Sequence, residues 1–184
     1  MEIVVAITGA SGAVLGVEFV RKAVDLGIKV NLVISEWGER TLRAEGFPDP
    51  LEMEGVKRFD NANLLAPFSS GSYYFDAMVV IPCSMNTLSM IANGISNDLI
   101  TRAASVALKE RRKLILVVRE TPLSTIHIEN MLKVSQAGGI ILPPVLAFYH
   151  KPETVEDLIN YVVGKVFDQL GVNTGIFKRW GKGE

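Results

Sequence analysis

With 184 residues the chain is long enough for one well-buried core and short for two. Its formal net charge of −1 excludes a general basic field for nucleic acid or an anionic membrane surface, so any anion must be held by a local cluster. Apolar residues make up 48%, an excess that suits either a parallel sheet covered on both faces or buried contacts between subunits.

Glu2-Ile-Val-Val-Ala-Ile7 reads as a strand that runs into a glycine-rich turn, Thr8-Gly-Ala-Ser-Gly12. Apolar positions from Ala13 to Leu26 recur at helical spacing, Gly27 stands as a C-terminal cap, and Lys29 to Ile34 is the next strand. Strand, turn, helix and strand make a βαβ unit. Residues 35–75 are less regular: Ser35-Glu36 can cap a short helix to Ala44, Pro48-Asp-Pro50 breaks it, and an irregular connection with one short helix and one strand is expected. Ala77 to Ile81 is a buried strand ended by Pro82, followed by helical spacing over 87–92 and 98–110, and by the most apolar strand, Leu114 to Val118. A helix over 124–137, a short strand Ile140 to Leu142 stopped by Pro143-Pro144, and an amphipathic helix over 154–170 complete the order.

This alternation predicts an α/β chain with a single doubly wound, mainly parallel sheet and helices on both faces, a Rossmann-like or flavodoxin-like three-layer arrangement. Residues 1–170 are expected to form the domain, and 171–184 a tail that is mobile unless Phe177 and Trp180 dock. No run approaches the roughly 18 apolar residues of a membrane span, and no basic leader precedes the first strand, so a cytoplasmic protein is expected. The lone Cys83 agrees with a reducing compartment.

Ligands of such sheets lie beyond the carboxyl ends of the strands. The residues to read are therefore Thr8 to Gly12, Ser35, Cys83-Ser84-Met-Asn86-Thr87, Arg119-Glu120-Thr121 and Ala147-Phe-Tyr149. The first turn departs from the dinucleotide fingerprint, because its glycines fall at 9, 12 and 16. Ser11 is either a ligand contact or a helix N-cap worth about 1 kcal/mol. Arg119 and Glu120 are either an ion pair capping the sheet or a phosphate clamp beside an acid–base group. The run Lys109 to Lys113 is most simply a solvated helix end, with cations where the helix dipole favours them. His127 and His150 lack metal-ligand spacing, and Cys83 reads as a small buried hydrophobe.

Several motifs together resemble one family. Gly9-Ala-Ser-Gly-Ala13, Ser70-Gly-Ser72, Pro82-Cys-Ser-Met85, Asn97-Asp-Leu-Ile-Thr-Arg-Ala-Ala104, Leu108-Lys-Glu-Arg-Arg112, Val118-Arg-Glu-Thr-Pro-Leu123, Pro143-Pro144 and Ala147-Phe-Tyr149 are similar to UbiX-type flavin prenyltransferases, in order from Glu2 to about Gly171. The resemblance implies an enzyme that joins a dimethylallyl group from dimethylallyl phosphate to N5 and C6 of reduced FMN. The product, prenylated FMN, serves UbiD-type decarboxylases, and the family forms dodecamers with sites shared between subunits. Carried over, Gly9, Ala10, Ser11, Ser35, Ser84, Met85, Asn86, Thr87 and Arg119 are FMN-binding positions, with Ser11 near N5. Lys109, Tyr149 and Lys165 hold the donor phosphate, and Glu120 is the acid–base carboxylate. This replaces the solvated reading for Lys109 alone. Leaving of an allylic phosphate develops a cation at one end and negative charge at the other, so fixed cations and electron-rich faces are needed, the latter supplied by the flavin ring and Tyr73. No metal is required. Asn86, Trp37 and Lys165 depart from the family's usual residues. Met85-Asn86 also resembles part of the Pro-x-Met-Asn motif of FMN-dependent cysteine decarboxylases, but that group uses a histidine early in the chain. A non-catalytic FMN carrier would leave Lys109, Glu120, Tyr149 and Lys165 without a role.

Overall fold

The apolar runs are strands whose successive side chains enter two different cores. In the first strand, Ile3, Val5 and Ile7 join one cluster, with Phe19 and Phe167, while Val4 and Ala6 join another, with Met78 and Leu99. The computed structural model describes residues 1–47 and 54–181. Within them run β1 (Glu2–Ile7), β2 (Lys29–Ile34), β3 (Val56–Asp60), β4 (Ala77–Cys83), β5 (Lys113–Val118) and β6 (Ile140–Ile141). The helices are α1 (Ala13–Asp25), α2 (Glu36–Ala44), α3 (Met85–Ala92), α4 (Leu99–Lys109), α5 (Thr125–Gln136) and α6 (Val155–Leu170), with one 3-10 turn at Pro67–Ser69. The expected Pro48-Asp-Pro50 break lies outside the described residues, as do residues 182–184 of the tail.

Every pairing among these strands is parallel, in the order β3-β2-β1-β4-β5-β6. The chain winds outward from β1 through β2 to β3, then crosses back and winds the other way through β4, β5 and β6. The winding therefore reverses between β1 and β4, and a crevice opens beyond their carboxyl ends. Helix α1 approaches this point closely: a Cβ at Gly16 would collide with the carbonyl oxygen of Ile81. No helix among the described residues is long and apolar enough to cross a membrane.

Two expectations change, and the condition set for the tail is met. Pro82 does not end β4, which runs on to Cys83. The register against β5 shifts between Val80 and Cys83, so the missing proline N–H falls where no ladder bond is needed. Arg112 and Lys113 are not a solvated helix end. Arg112 donates to the carbonyls of Tyr73 (2.8 Å) and Gly71 (2.9 Å) with its guanidinium 4.4 Å from the Phe75 ring, and Lys113 donates to the Gln169 carbonyl at 2.8 Å. The tail docks through Phe177, which packs on α6 at Gly164 and edge-on to Tyr161 at 5.3 Å, while the exposed Trp180 lies edge-on to Tyr149 at 5.5 Å.

Candidate active site

The two inner turns are tied together by one hydroxyl. Thr8, buried at the end of β1, donates its Oγ1 hydrogen to the Pro82 carbonyl (2.8 Å) and accepts from the Ser84 backbone N–H (2.8 Å). This fixes the Gly9 to Gly12 turn against the start of α3. On the other side, a Cβ at Gly9 would collide with Trp37 Cβ, so the absence of a side chain lets α2 close on the turn. The Trp37 ring lies outside this contact, exposed, with the Arg40 guanidinium 4.7 Å from its centroid.

The serines of the turns take different roles. Ser35 and Ser84 are N-caps: Ser35 Oγ accepts from the Gly38 N–H at 3.0 Å, and Ser84 Oγ from the Thr87 N–H at 3.3 Å. Ser11 is not a cap. Gly12 holds that position for α1, in a left-handed conformation (φ 92°) and with no side-chain cap, while Ser11 is exposed. Its hydroxyl has no partner among the described residues.

The N-terminus of α1 is nevertheless occupied. Glu45, just past α2, reaches back so that Oε1 accepts from the Gly12 N–H and Oε2 from the Ala13 N–H, each at 2.9 Å. A carboxylate thus sits where the helix dipole favours negative charge. Sequence reading missed this residue, because its partners lie 33 and 32 positions away and no local pattern marks the pairing.

Arg119 and Glu120 form no ion pair with each other among the described residues. Arg119 is clipped into place by its backbone N–H on the Cys83 carbonyl (3.1 Å) and its Nε on the Ser11 carbonyl (3.0 Å). These bonds bring the third turn to the first and leave the two terminal guanidinium nitrogens open. Glu120 is exposed and accepts from the Thr121 N–H at 3.0 Å through Oε1, which leaves Oε2 open. Beside them is a cavity of about 330 Å3 whose walls include Ser11, Leu15, Arg119, Leu146, Leu158 and Val162. It offers one hydroxyl and one cation in an apolar surround, the usual make-up of a small-molecule site.

The remaining predicted residues divide. Ala10 is buried and its N–H donates to the Thr8 carbonyl, Met85 packs against the core, Thr87 is buried, and Asn86 is exposed at the first turn of α3. Gly9 to Ser11, Ser35, Ser84 to Thr87 and Arg119 thus all follow the carboxyl ends of β1, β2, β4 and β5, and of them Ser11 and Arg119 line the cavity. Lys109 does not. It lies at the end of α4, before β5 begins, and pairs with Glu110, which borders a separate cavity with Met1, Asp76 and Leu170 at the amino edge of the sheet. Tyr73 is also there, its hydroxyl donating to Glu2. Lys165 sits ten residues along α6 from Val155, about 15 Å by helical rise, with Nζ 3.7 Å from Asp168. Tyr149 is edge-on to His150, Tyr161 and Trp180. Cys83 is fully buried and burial pushes its thiol pKa up, so it packs as a hydrophobe. His127 Nδ1 accepts from the Ser124 N–H in a capping box, and His150 stacks on Tyr161.

The family model "Flavoprotein" matches residues 1–167. The flavin prenyltransferase UbiX of Methanocaldococcus jannaschii is 48% identical over 183 residues, covering 98% of this chain and 99% of the relative. The crystal structure of AnUbiX (PadA1) in complex with FMN and dimethylallyl pyrophosphate superposes with a TM-score of 0.95 at 46% identity, over 100% of this chain and 98% of that one. A dodecameric FMN-dependent UbiX-like decarboxylase from Escherichia coli O157:H7 superposes at 0.93 with 43% identity, over 98% and 99% of the two chains.

Proposed function

The chain belongs to the flavoprotein family, in its UbiX flavin prenyltransferase branch, and from that premise we propose that it transfers a dimethylallyl group from dimethylallyl phosphate to N5 and C6 of reduced FMN. The observation that carries this reading is the set of groups left open at one crevice: the Ser11 hydroxyl, the terminal nitrogens of Arg119 and one oxygen of Glu120. Reduced FMN supplies the electron-rich ring positions that take the prenyl carbons.

The residues present fit that ligand. Gly9, Ala10 and Ser11 offer a flat wall for a ring, and the cavity beside Ser11 is lined mainly by apolar side chains. Glu45 already fills the N-terminus of α1, which leaves the starts of α2 and α3, at Ser35 and at Ser84 to Thr87, for the FMN phosphate. Ser11 faces N5. Arg119, fixed by Ser11 and Cys83, holds its charge without having to reorganise, the condition under which a cation stabilises charge that develops during reaction. Glu120 moves the proton.

The donor phosphate carries roughly −1.5 to −2 charges and needs clustered cations. Lys109, Arg119 and Lys165 supply them, and the Tyr149 hydroxyl adds a hydrogen-bond donor. Because Lys109 lies at the far edge of its own sheet, the Lys109 that serves a given crevice belongs to a neighbouring copy, and the site is completed by assembly. Ile126, Ile128, Leu132, Val145 and Phe148 are exposed and give each copy an apolar surface to cover, consistent with a homododecamer. A cytoplasmic location and delivery of the product to a UbiD-type decarboxylase complete the proposal.

The test is a mass measurement. Purified protein given reduced FMN with dimethylallyl monophosphate, and separately with the diphosphate, should yield a flavin heavier by one prenyl unit in at least one arm. Unmodified flavin in both arms sinks the reading.

A further inference from the structure

The docked tail ends in a contact that the transfer reaction does not itself use. Arg179 grips Asp168 with a two-pronged pair, Nη1 to Oδ2 at 3.0 Å and Nη2 to Oδ1 at 2.6 Å. Its Nη2 also donates to Asn173 Oδ1 at 3.2 Å, and its guanidinium lies 4.8 Å from the Phe177 ring centroid. Asp168 is three residues beyond Lys165 on α6, a spacing at which opposite charges meet on one helix face. Left alone, the two would close into a hydrogen-bonded pair. Here both carboxylate oxygens are taken by the planar fork, and Lys165 Nζ keeps only a loose ion pair with Oδ2 at 3.7 Å, longer than a hydrogen bond. The same tail segment carries Trp180 against Tyr149, and Phe177 against Tyr161, whose ring lies 6.2 Å from that of Tyr149. The tail thus lies beside both donor-site residues on this side of the chain.

We propose that Arg179 is a positioning residue for the prenyl-donor site: by holding both oxygens of Asp168 it keeps that carboxylate from closing on Lys165. The inference rests on the reading that Lys165 and Tyr149 bind the donor phosphate. The same grip holds the Asp168 carboxyl below its ordinary pKa, so the carboxylate stays charged and would capture Lys165 if Arg179 were removed.

The experiment is steady-state prenylation with dimethylallyl monophosphate for wild type, R179A, R179A/D168N and K165A, with FMN affinity read by fluorescence quenching as a control for folding. R179A raises KM for the donor about fivefold with kcat and FMN affinity unchanged, the size expected when a phosphate must displace a partly exposed ion pair. Removing the competing carboxylate in R179A/D168N returns KM to within about twofold of wild type, a rescue that a merely structural role for Arg179 would not give. An unchanged KM in R179A, or a double variant no better than R179A, overturns the proposal while leaving the donor assignment intact. An unchanged KM in K165A overturns the donor assignment, and the inference with it.

Discussion

The two edges of the sheet carry the same kinds of polar residue and treat them in opposite ways. At the amino edge the groups close on one another. Glu2 accepts from the Tyr73 hydroxyl and from Asn31 Nδ2 (2.8 Å), its backbone N–H donates to Asp76 (2.7 Å), and Lys109 pairs with Glu110. The Tyr73 hydrogen bond, then that of Asn31, holds the Glu2 carboxyl below its usual range. At the carboxyl edge Thr8 and Glu45 are closed in the same manner, but Ser11, Arg119 and Glu120 each keep an open donor or acceptor. Closed groups hold the chain in place, whereas open ones in a crevice stabilise nothing until a ligand arrives. Burial and charge alone would not separate the two edges; the count of unmet hydrogen bonds does.

Substitutions that act on one edge only should break this contrast into separate readouts. The largest effect belongs to Glu120→Gln, which slows prenyl transfer about 10²- to 10⁴-fold as loss of a general acid–base group does. Its side chain is exposed and, among the described residues, bonds only to the neighbouring Thr121 N–H, so melting temperature and FMN affinity stay at wild-type values. Single-turnover transfer at wild-type rate would remove Glu120 from the chemistry. At the other edge, Asn31→Ala deletes a buried side chain on β2 that bonds to Glu2, and it lowers stability by about 1 kcal/mol in denaturant titration. Transfer by the folded Asn31→Ala protein stays within about twofold of wild type. A larger drop would show that the amino edge transmits strain to the crevice.

Much of this arrangement was legible in the residues. Thr8, Ser84 and Arg119 each follow an apolar run directly, and a residue directly after a strand of a parallel sheet lies at the ligand edge. A parallel, doubly wound sheet followed from the alternation of periods, while the strand order and the reversal between β1 and β4 come from the pairings themselves. The parts that stayed hidden depend on side chains meeting across distance. Glu45 at the start of α1, Arg112 on the Gly71 to Tyr73 loop and Arg179 on Asp168 are not encoded by propensity or spacing, because each is chosen by packing after the elements have formed. Ser11 shows the converse: a serine before a helical run predicts a cap, yet Gly12 takes that position in a left-handed conformation closed to most side chains, and the hydroxyl is set free. Lys109 was named correctly as a cation near the end of a helix, but which edge of the sheet it borders follows only from the direction in which α4 runs back to β5.

The smallest expected effect concerns acid. Glu2 at the amino edge and Asp168 beneath the tail both have depressed carboxyl pKa values, Asp168 chiefly through the hydrogen bonds of Arg179. A carboxylate lowered in the folded state adds stability that is fully present above its unfolded value, here near 3.8, and is lost as pH falls through the lower folded value. Wild type and Asp168→Asn should therefore differ by about 1 kcal/mol or less from neutral pH down to about pH 5, because the pair is only partly buried. Below about pH 4 the two melting curves should converge, with the acid limb of wild type the steeper. Glu2 titrates identically in both proteins and cancels from the comparison. Parallel acid limbs would mean that Arg179 holds Asp168 no better in the folded chain than water does in the unfolded one, and the tail would then be docked by Phe177 and Trp180 alone.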